Sequence, residues 1–374
     1  MRVARVKLEN FKRFKDHEII IRNTVTEDIA ERFLLLGDNG TGKTTILQAI
    51  ALCLSKISGT IRDTAEFDWQ GWVPGRYEKS GVPVVELDIC FSDDEIKATQ
   101  DVSELWYKNN SKYVSGKKWI CPGDAKEVTV RLEGGCFSTH HGKLENIFQF
   151  RGRSYAAQLL RNGVEEARAY FPRLPGCFWF DQYRNMASPS ADPVEQGQKL
   201  FAERETEYSS RRNRHYATGV SRLRKHLISW MLSRLMGAPS DWLTELENSY
   251  KMIFPGRSFA LPEPMFRGGT PTVEDYYFCL QDGNRTYDIE EMSAGEQSVF
   301  PMLYEFVRMQ ISNSIVLIDE IDLNLHPPLA QALLMALPAL GAHCQFLLTT
   351  HSEAITALVS PGEIYRLEGG RLCL

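Results

Sequence analysis

The stretch Gly37-Asp38-Asn39-Gly40-Thr41-Gly42-Lys43-Thr44-Thr45 constrains this chain more than any other. It fits GxxxxGK[ST] at Gly37, Gly42, Lys43 and Thr44. Its flanks fit as well. Phe33-Leu34-Leu35-Leu36 is a short, continuously apolar run of the kind that forms a buried parallel strand. Beyond the loop, Ile46, Leu47, Ile50, Leu54 and Ile57 recur at helical spacing. In a strand, glycine turn, helix unit the loop's N–H groups turn inward and the helix presents its positive end, so the unit holds phosphate. Lys43 then reaches the β- and γ-phosphates of a nucleotide, and the Thr44 hydroxyl ligates Mg²⁺.

Three further elements follow in chain order. Met292-Ser293-Ala294-Gly295-Glu296-Gln297 opens a helix, and Ser293 with Glu296 makes an S-x-x-E capping box. The same free N–H groups make an anion site, at which Ser293, Gly295 and Glu296 face a second nucleotide. Ile315-Val316-Leu317-Ile318 is an apolar strand delivering Asp319 and Glu320 at its carboxyl end. There Asp319 holds Mg²⁺ through water, and Glu320 orients or deprotonates the attacking water. Phe346-Leu347-Leu348-Thr349-Thr350-His351 is another apolar strand with a polar end, placing His351 to contact the γ-phosphate and the catalytic acid. Strands alternating with helices predict an α/β fold with a mostly parallel sheet.

The 374 residues, 43% hydrophobic and 24% charged, exclude wholesale disorder and supply a full core. No apolar run approaches the roughly 20 residues of a membrane span, and Met1 to Glu18 lacks the apolar segment of a secretory signal. Eight scattered cysteines without a CxxC pair suit reduced thiols and a cytoplasmic location. Cys121, Cys136, His140 and His141 come nearest to a metal pattern, but only the His pair is close.

The expected organisation is a first lobe over 1–185 with strands and loops inserted at about 58–175, a helical insertion over 186–268 and a second lobe over 269–374. Val128–Leu132 and Ile147–Phe150 read as strands in the first insertion, and a terminal hairpin is expected from Glu363–Leu367 and Arg371–Leu374. Net charge is -5, yet Arg151 to His226 holds 14 Lys/Arg against 8 Asp/Glu, a local +6 that leaves -11 for the rest. Such asymmetry permits a basic face for a phosphate backbone, with Arg211, Arg212, Arg214, Arg222, Arg224 and Lys225 as its members. Val220, Leu223, Leu227, Met231 and Leu235 make an apolar stripe on the same segment.

The 292–297 block resembles the ABC signature LSGGQ in the form SxGEQ, in the chain order of the ABC ATPase class. Within that class, Asn10-Phe11-Lys12-Arg13-Phe14 resembles the "NFR.F" turn of the SMC, RecF and OLD branch. Asp319-Glu320-Ile321-Asp322-Leu323-Asn324-Leu325-His326-Pro327 resembles the "DE…LHP" loop of OLD-like ATPases. The resemblance covers roughly 1–57 and 285–368. It implies an ABC-type P-loop ATPase head with a mixed sheet, a β-rich first lobe and a helical insertion. It implies bound ATP and Mg²⁺, with residues 37 to 45 and Arg13 at the nucleotide. A Q-loop glutamine at the metal is implied too, Gln182 first and Gln149 behind it. It further implies a head-to-tail homodimer or higher homo-oligomer that regulates a nuclease or toxin subunit in bacterial antiphage defence. The alternative is a RecF-like ATPase that itself binds DNA in repair. The sequence departs from the branch in two ways. From Lys43 to Ser293 the chain runs 250 residues, with prolines at 172, 175, 189 and 193 and no heptads to make an SMC coiled coil. Only 23 residues follow His351, so an OLD-type nuclease domain is not expected.

Overall fold

The structure, a computed structural model, describes residues 1–69, 71–73, 75–78, 81–110, 119–139, 142–182, 220–237, 241–265 and 275–368. It divides into two compact units. One comprises Met1–Trp179, Gln310–Ile321 and Gly341–Leu374, the other Phe180–Met309 and Asp322–Leu340. The stretch 269–374, expected as one lobe, is shared between them.

The first unit carries two sheets. In the antiparallel one the order is Phe14–Ile20, Arg2–Phe11, Val84–Cys90, Glu127–Glu133, Cys136–Thr139. Val6 and Leu8 are buried while Arg5 and Lys7 lie on the other face, as the alternation predicts. A register shift between Val3 and Arg5 lets Val3 and Ala4 both point inward. The second sheet runs Ile364–Arg366, Arg32–Leu36, Gln345–Thr349, Ile315–Ile318, Cys177–Phe180, with its first four strands parallel. Helix Lys43–Ile57 packs on strands of both sheets. It is therefore buried almost all round, with Gln48, Ser55 and Lys56 enclosed beside the predicted apolar stripe.

Two expectations for this unit change. Much of the insertion at 58–175 is helical, with helices Asp93–Asn110, Leu144–Phe148 and Gly152–Arg161 and a 3₁₀ segment Glu165–Arg173. Ala98, Val102, Ala156, Leu159, Ala167 and Leu174 form a core of their own there. Ile147–Phe150 lies in helical turns rather than a strand, because periodicity cannot assign so short an apolar run. The terminal hairpin also changes: Ile364–Arg366 pairs in parallel with Arg32–Leu36, and residues 371–374 lie outside the described residues.

The second unit holds helices Val220–Leu235, Trp242–Ile253, Ala294–Arg308 and Pro327–Leu340, and an antiparallel sheet ordered Arg285–Asp288, Cys279–Asp282, Arg257–Phe259. Leu223, Leu227 and Met231 bury the predicted stripe, whereas Leu235 is 67% exposed at the helix end. Among the described residues no helix is long and apolar enough to cross a membrane, and no group of three or more His, Cys, Asp or Glu could hold a metal ion. Cys121 and Cys136 are free and exposed, and His140 and His141 lie outside the described residues.

Candidate nucleotide site

Gly42 joins the loop to its helix at φ +105, a backbone conformation that L side chains rarely adopt. A Cβ there would sit 2.6 Å from the Phe14 ring and 2.8 Å from Arg13 Cδ. The turn ahead of strand Phe14–Ile20 thus packs onto the loop and brings the exposed Arg13 beside it, with Phe14, the last residue of the 10–14 motif, as the anchor. Lys43 is only 6% exposed, and its Nζ donates to the carbonyls of Gly37 at 2.7 Å and Asp38 at 3.2 Å. Burial pushes its pKa down, opposed by the charges of Asp319, Glu320 and Asp38. The Thr41 hydroxyl donates to the Asp38 carbonyl and closes the turn, while Asn39 and Gly40 are exposed and Thr45 half-buried.

Opposite the loop, the Thr44 hydroxyl donates to Asp319 Oδ2 at 2.8 Å and Oδ1 at 3.1 Å. Asp319 is fully buried. The Thr349 hydroxyl donates to Asp319 Oδ1 at 2.7 Å and accepts from the Glu320 N–H at 2.7 Å. Glu320 is half-buried with φ +49. The loop, the two acids and Thr349 meet at the carboxyl ends of neighbouring parallel strands, where α/β sheets place ligands. His351, exposed, follows two residues after Thr349. A hydroxyl beside a buried carboxylate is a pair of hard oxygen donors that fits Mg²⁺, whose remaining positions go to water and phosphate oxygens.

Of the two glutamines, Gln149 is turned to the 123–125 backbone, its amide donating to the Ala125 carbonyl at 3.0 Å. Gln182 is half-buried just after strand Cys177–Phe180 and belongs to the second unit.

The signature residues also lie in the second unit. Ser293 caps helix Ala294–Arg308 and is exposed. Gly295 is buried, and a Cβ there would lie 3.1 Å from the Asn324 carbonyl oxygen. The expectation that Glu296 faces a nucleotide is corrected: it is 2% exposed and turned inward. Its carboxylate accepts from Ser293 N at 2.9 Å, Ser293 Oγ at 2.7 Å, Tyr287 at 2.7 Å and Tyr250, and pairs with Arg257. Burial pushes its pKa up, but the bonds from Tyr250, Arg257 and Ser293 outweigh that and hold it at about 2. A capping box aims the N3 side chain back at the N-cap, and here that path leads into the interior. Arg224 is corrected in the same way. It is 9% exposed and bonded to Asp288 at 2.7 Å and Glu290 at 2.6 Å, so it does not belong to a basic face. Arg211, Arg212 and Arg214 lie outside the described residues.

A sheet that gathers a glycine loop, a buried lysine, a hydroxyl–carboxylate pair and a second acid defines the P-loop ATPases. Residues 1–154 match a family model described as "AAA ATPase domain", and residues 183–357 one described as "AAA domain, putative AbiEii toxin, Type IV TA system". Structural maintenance of chromosomes protein 1 of Schizosaccharomyces pombe is 28% identical over 158 residues, 41% of this chain and 12% of that protein. The Retron Ec83 probable ATPase of Escherichia coli is 29% identical over 103 residues, 25% of this chain and 19% of that one. The chain thus spans a fifth or less of the length of these curated relatives. A solved SMC head bound to the C-winged helix domain of ScpA superimposes with TM-score 0.51 at 14% identity, covering 96% of this chain and 92% of that one. Two AAA-type family models thus match separate parts of the chain, and the fold is that of an ABC-type ATPase head of the SMC kind.

Proposed function

We propose that the protein binds Mg-ATP at Gly37–Thr45, hydrolyses it between two copies of itself, and uses the engaged state to control a separate effector protein, a nuclease or toxin, in antiphage defence. The observation that carries the first part is the junction of Thr44, Asp319, Thr349 and Glu320 at the carboxyl ends of the sheet's inner strands. Lys43 and the loop N–H groups hold the phosphates, with Arg13 beside them. Thr44 and Asp319 hold Mg²⁺, and Gln182 is the proposed third ligand. The metal supplies charge neutralisation on the phosphate oxygens. Glu320 takes the proton of the attacking water, and His351 steadies the γ-phosphate.

The exposure of Ser293 at a helix start supports a signature contact with a nucleotide held by another copy, for which a head-to-tail homodimer is the minimum assembly. Similarity to a retron ATPase and to a family model named for a toxin–antitoxin system supports the effector role. The SMC head solved with a ScpA domain supports a protein partner for this kind of head. With Arg224 internal, the DNA-binding alternative loses one of its basic contacts.

Complementation tests the proposal. Ser293→Arg and Lys43→Ala proteins should each be inactive alone yet regain ATPase activity when mixed, because a mixed dimer keeps one intact composite site. Full activity of Ser293→Arg alone would sink the shared site. For the effector, co-expression with the neighbouring gene's product should be harmless with wild type and toxic with Lys43→Ala, or the reverse. Identical growth in both cases would remove the regulatory role.

A further inference from the structure

Strand Gln345–Thr349 is apolar through Phe346, Leu347 and Leu348 and then places a hydroxyl, Thr349, where no solvent reaches it. A buried hydroxyl is costly unless hydrogen-bonded. This one makes two bonds, and they lead to two different groups of the proposed reaction. Its hydrogen goes to Asp319 Oδ1, 2.7 Å away, and its lone pair takes the N–H of Glu320, also at 2.7 Å. Glu320 is a non-glycine residue at φ +49, a backbone state that persists only where the surroundings fix it. From the next residue of the same segment, the Ile321 N–H donates to the Thr349 carbonyl at 3.0 Å, so one residue holds two successive N–H groups after Asp319.

We infer that Thr349 is a positioning residue for both acids. By holding Oδ1 of Asp319 it fixes the rotation of that carboxylate and presents Oδ2, the oxygen nearer the Thr44 hydroxyl, to Mg²⁺. By holding the Glu320 N–H it fixes the backbone from which the base is aimed. One hydroxyl therefore ties metal binding to placement of the base. The inference rests on the roles proposed above for Asp319 and Glu320.

Thr349→Val keeps the shape and removes the hydroxyl, and Thr349→Ser keeps the hydroxyl. In the Val variant kcat should fall roughly ten- to hundred-fold, the rate equivalent of one hydrogen bond to a charged group, with KM for ATP within about twofold. Binding of a fluorescent ATP analogue should need roughly tenfold more Mg²⁺ for half-saturation, while binding in EDTA stays as in wild type. Thr349→Ser should restore both. Wild-type turnover in the Val variant overturns the inference, as does equal damage in Val and Ser. So does weakening of analogue binding in EDTA as large as in Mg²⁺. If Thr349→Val does not fold, Thr349→Ala is judged by the same criteria. Wild-type turnover no faster than that of Lys43→Ala would mean that the ATPase reading has failed, and the Mg²⁺ dependence of analogue binding would still judge Thr349.

Discussion

The hydroxyl of Thr44 lies 2.8 Å from the carboxylate of Asp319, joining residues 275 positions apart in the chain. With Lys43 folded onto the Gly37 and Asp38 carbonyls, the site is assembled around its own groups, and the phosphates need only replace the internal acceptors of Lys43. Lys43→Ala should weaken ATP binding at least about 100-fold, since a charge-assisted bond to phosphate is lost. Glu320→Gln should bind ATP as wild type does but turn it over about 10²- to 10⁴-fold more slowly, since only the base is removed. Equilibrium binding of a fluorescent analogue and single-turnover hydrolysis check the pair. Matching turnover in Glu320→Gln and wild type would remove Glu320 from the chemistry.

Gly42→Ala should be as damaging as losing the lysine. The added carbon would meet the Phe14 ring at 2.6 Å, at a φ of +105 that alanine resists. The strained backbone alone costs about 1–3 kcal/mol. A second change, Phe14→Ala, removes the ring from the path of the methyl group but leaves the Arg13 contact and the backbone strain. Chemical denaturation of the single and double variants should therefore show partial recovery. No loss in Gly42→Ala would mean that the loop has room to move away from the turn.

The loop, the acid-tipped strand and the helix cap were legible in the sequence because each is local: a fixed spacing beside an apolar run. What was not legible depends on which strands become neighbours. Thr349 stands out only as a hydroxyl ending an apolar strand, and its partner Asp319 lies 30 residues earlier. Glu296 advertises its capping box, yet Tyr250, which turns it into a buried network, is 46 residues away. Helix Asp93–Asn110 escaped notice because its neighbours are short strands and turns, and its buried face is completed by residues 156 to 174. Charge counting failed at Arg224 for a related reason, since composition cannot distinguish a solvated arginine from one held by Asp288.

The Glu296 network makes stability depend on acid. Its folded pKa of about 2 lies below the ordinary 4.5, so its contribution is fully present above about pH 4.5 and lost as pH falls toward 2. The shift bounds that contribution at about 3 kcal/mol. Glu296→Gln should lower stability by about that amount at pH 7. The gap between variant and wild type should close between pH 4.5 and 2. Urea unfolding of both proteins at several pH values gives the difference directly. A gap that stays constant across this range would mean that the carboxylate's charge is not what holds the tyrosines and Arg257.

Arg224 offers the sharpest separation of a structural arginine from a nucleic-acid contact. Its guanidinium is shared by Asp288 and Glu290, and Asp288 is itself buried while accepting from the Phe278 N–H at 3.0 Å. Removing one partner of a buried pair leaves the other charge uncompensated, at about 3–5 kcal/mol. Arg224→Ala should therefore lower the unfolding free energy by about 3 kcal/mol, the low end because Asp288 keeps its backbone donors. Any DNA binding by the folded protein should keep its salt dependence. A phosphate contact predicts the opposite: unchanged stability, with the slope of log K against log salt reduced by about 0.9. Arg224→Lys sharpens the contrast. A single ammonium cannot reproduce a fork held by two carboxylates, so it should recover only part of the stability, whereas it would largely preserve a phosphate contact. An unfolding midpoint that does not move in Arg224→Ala would restore this residue to the basic face.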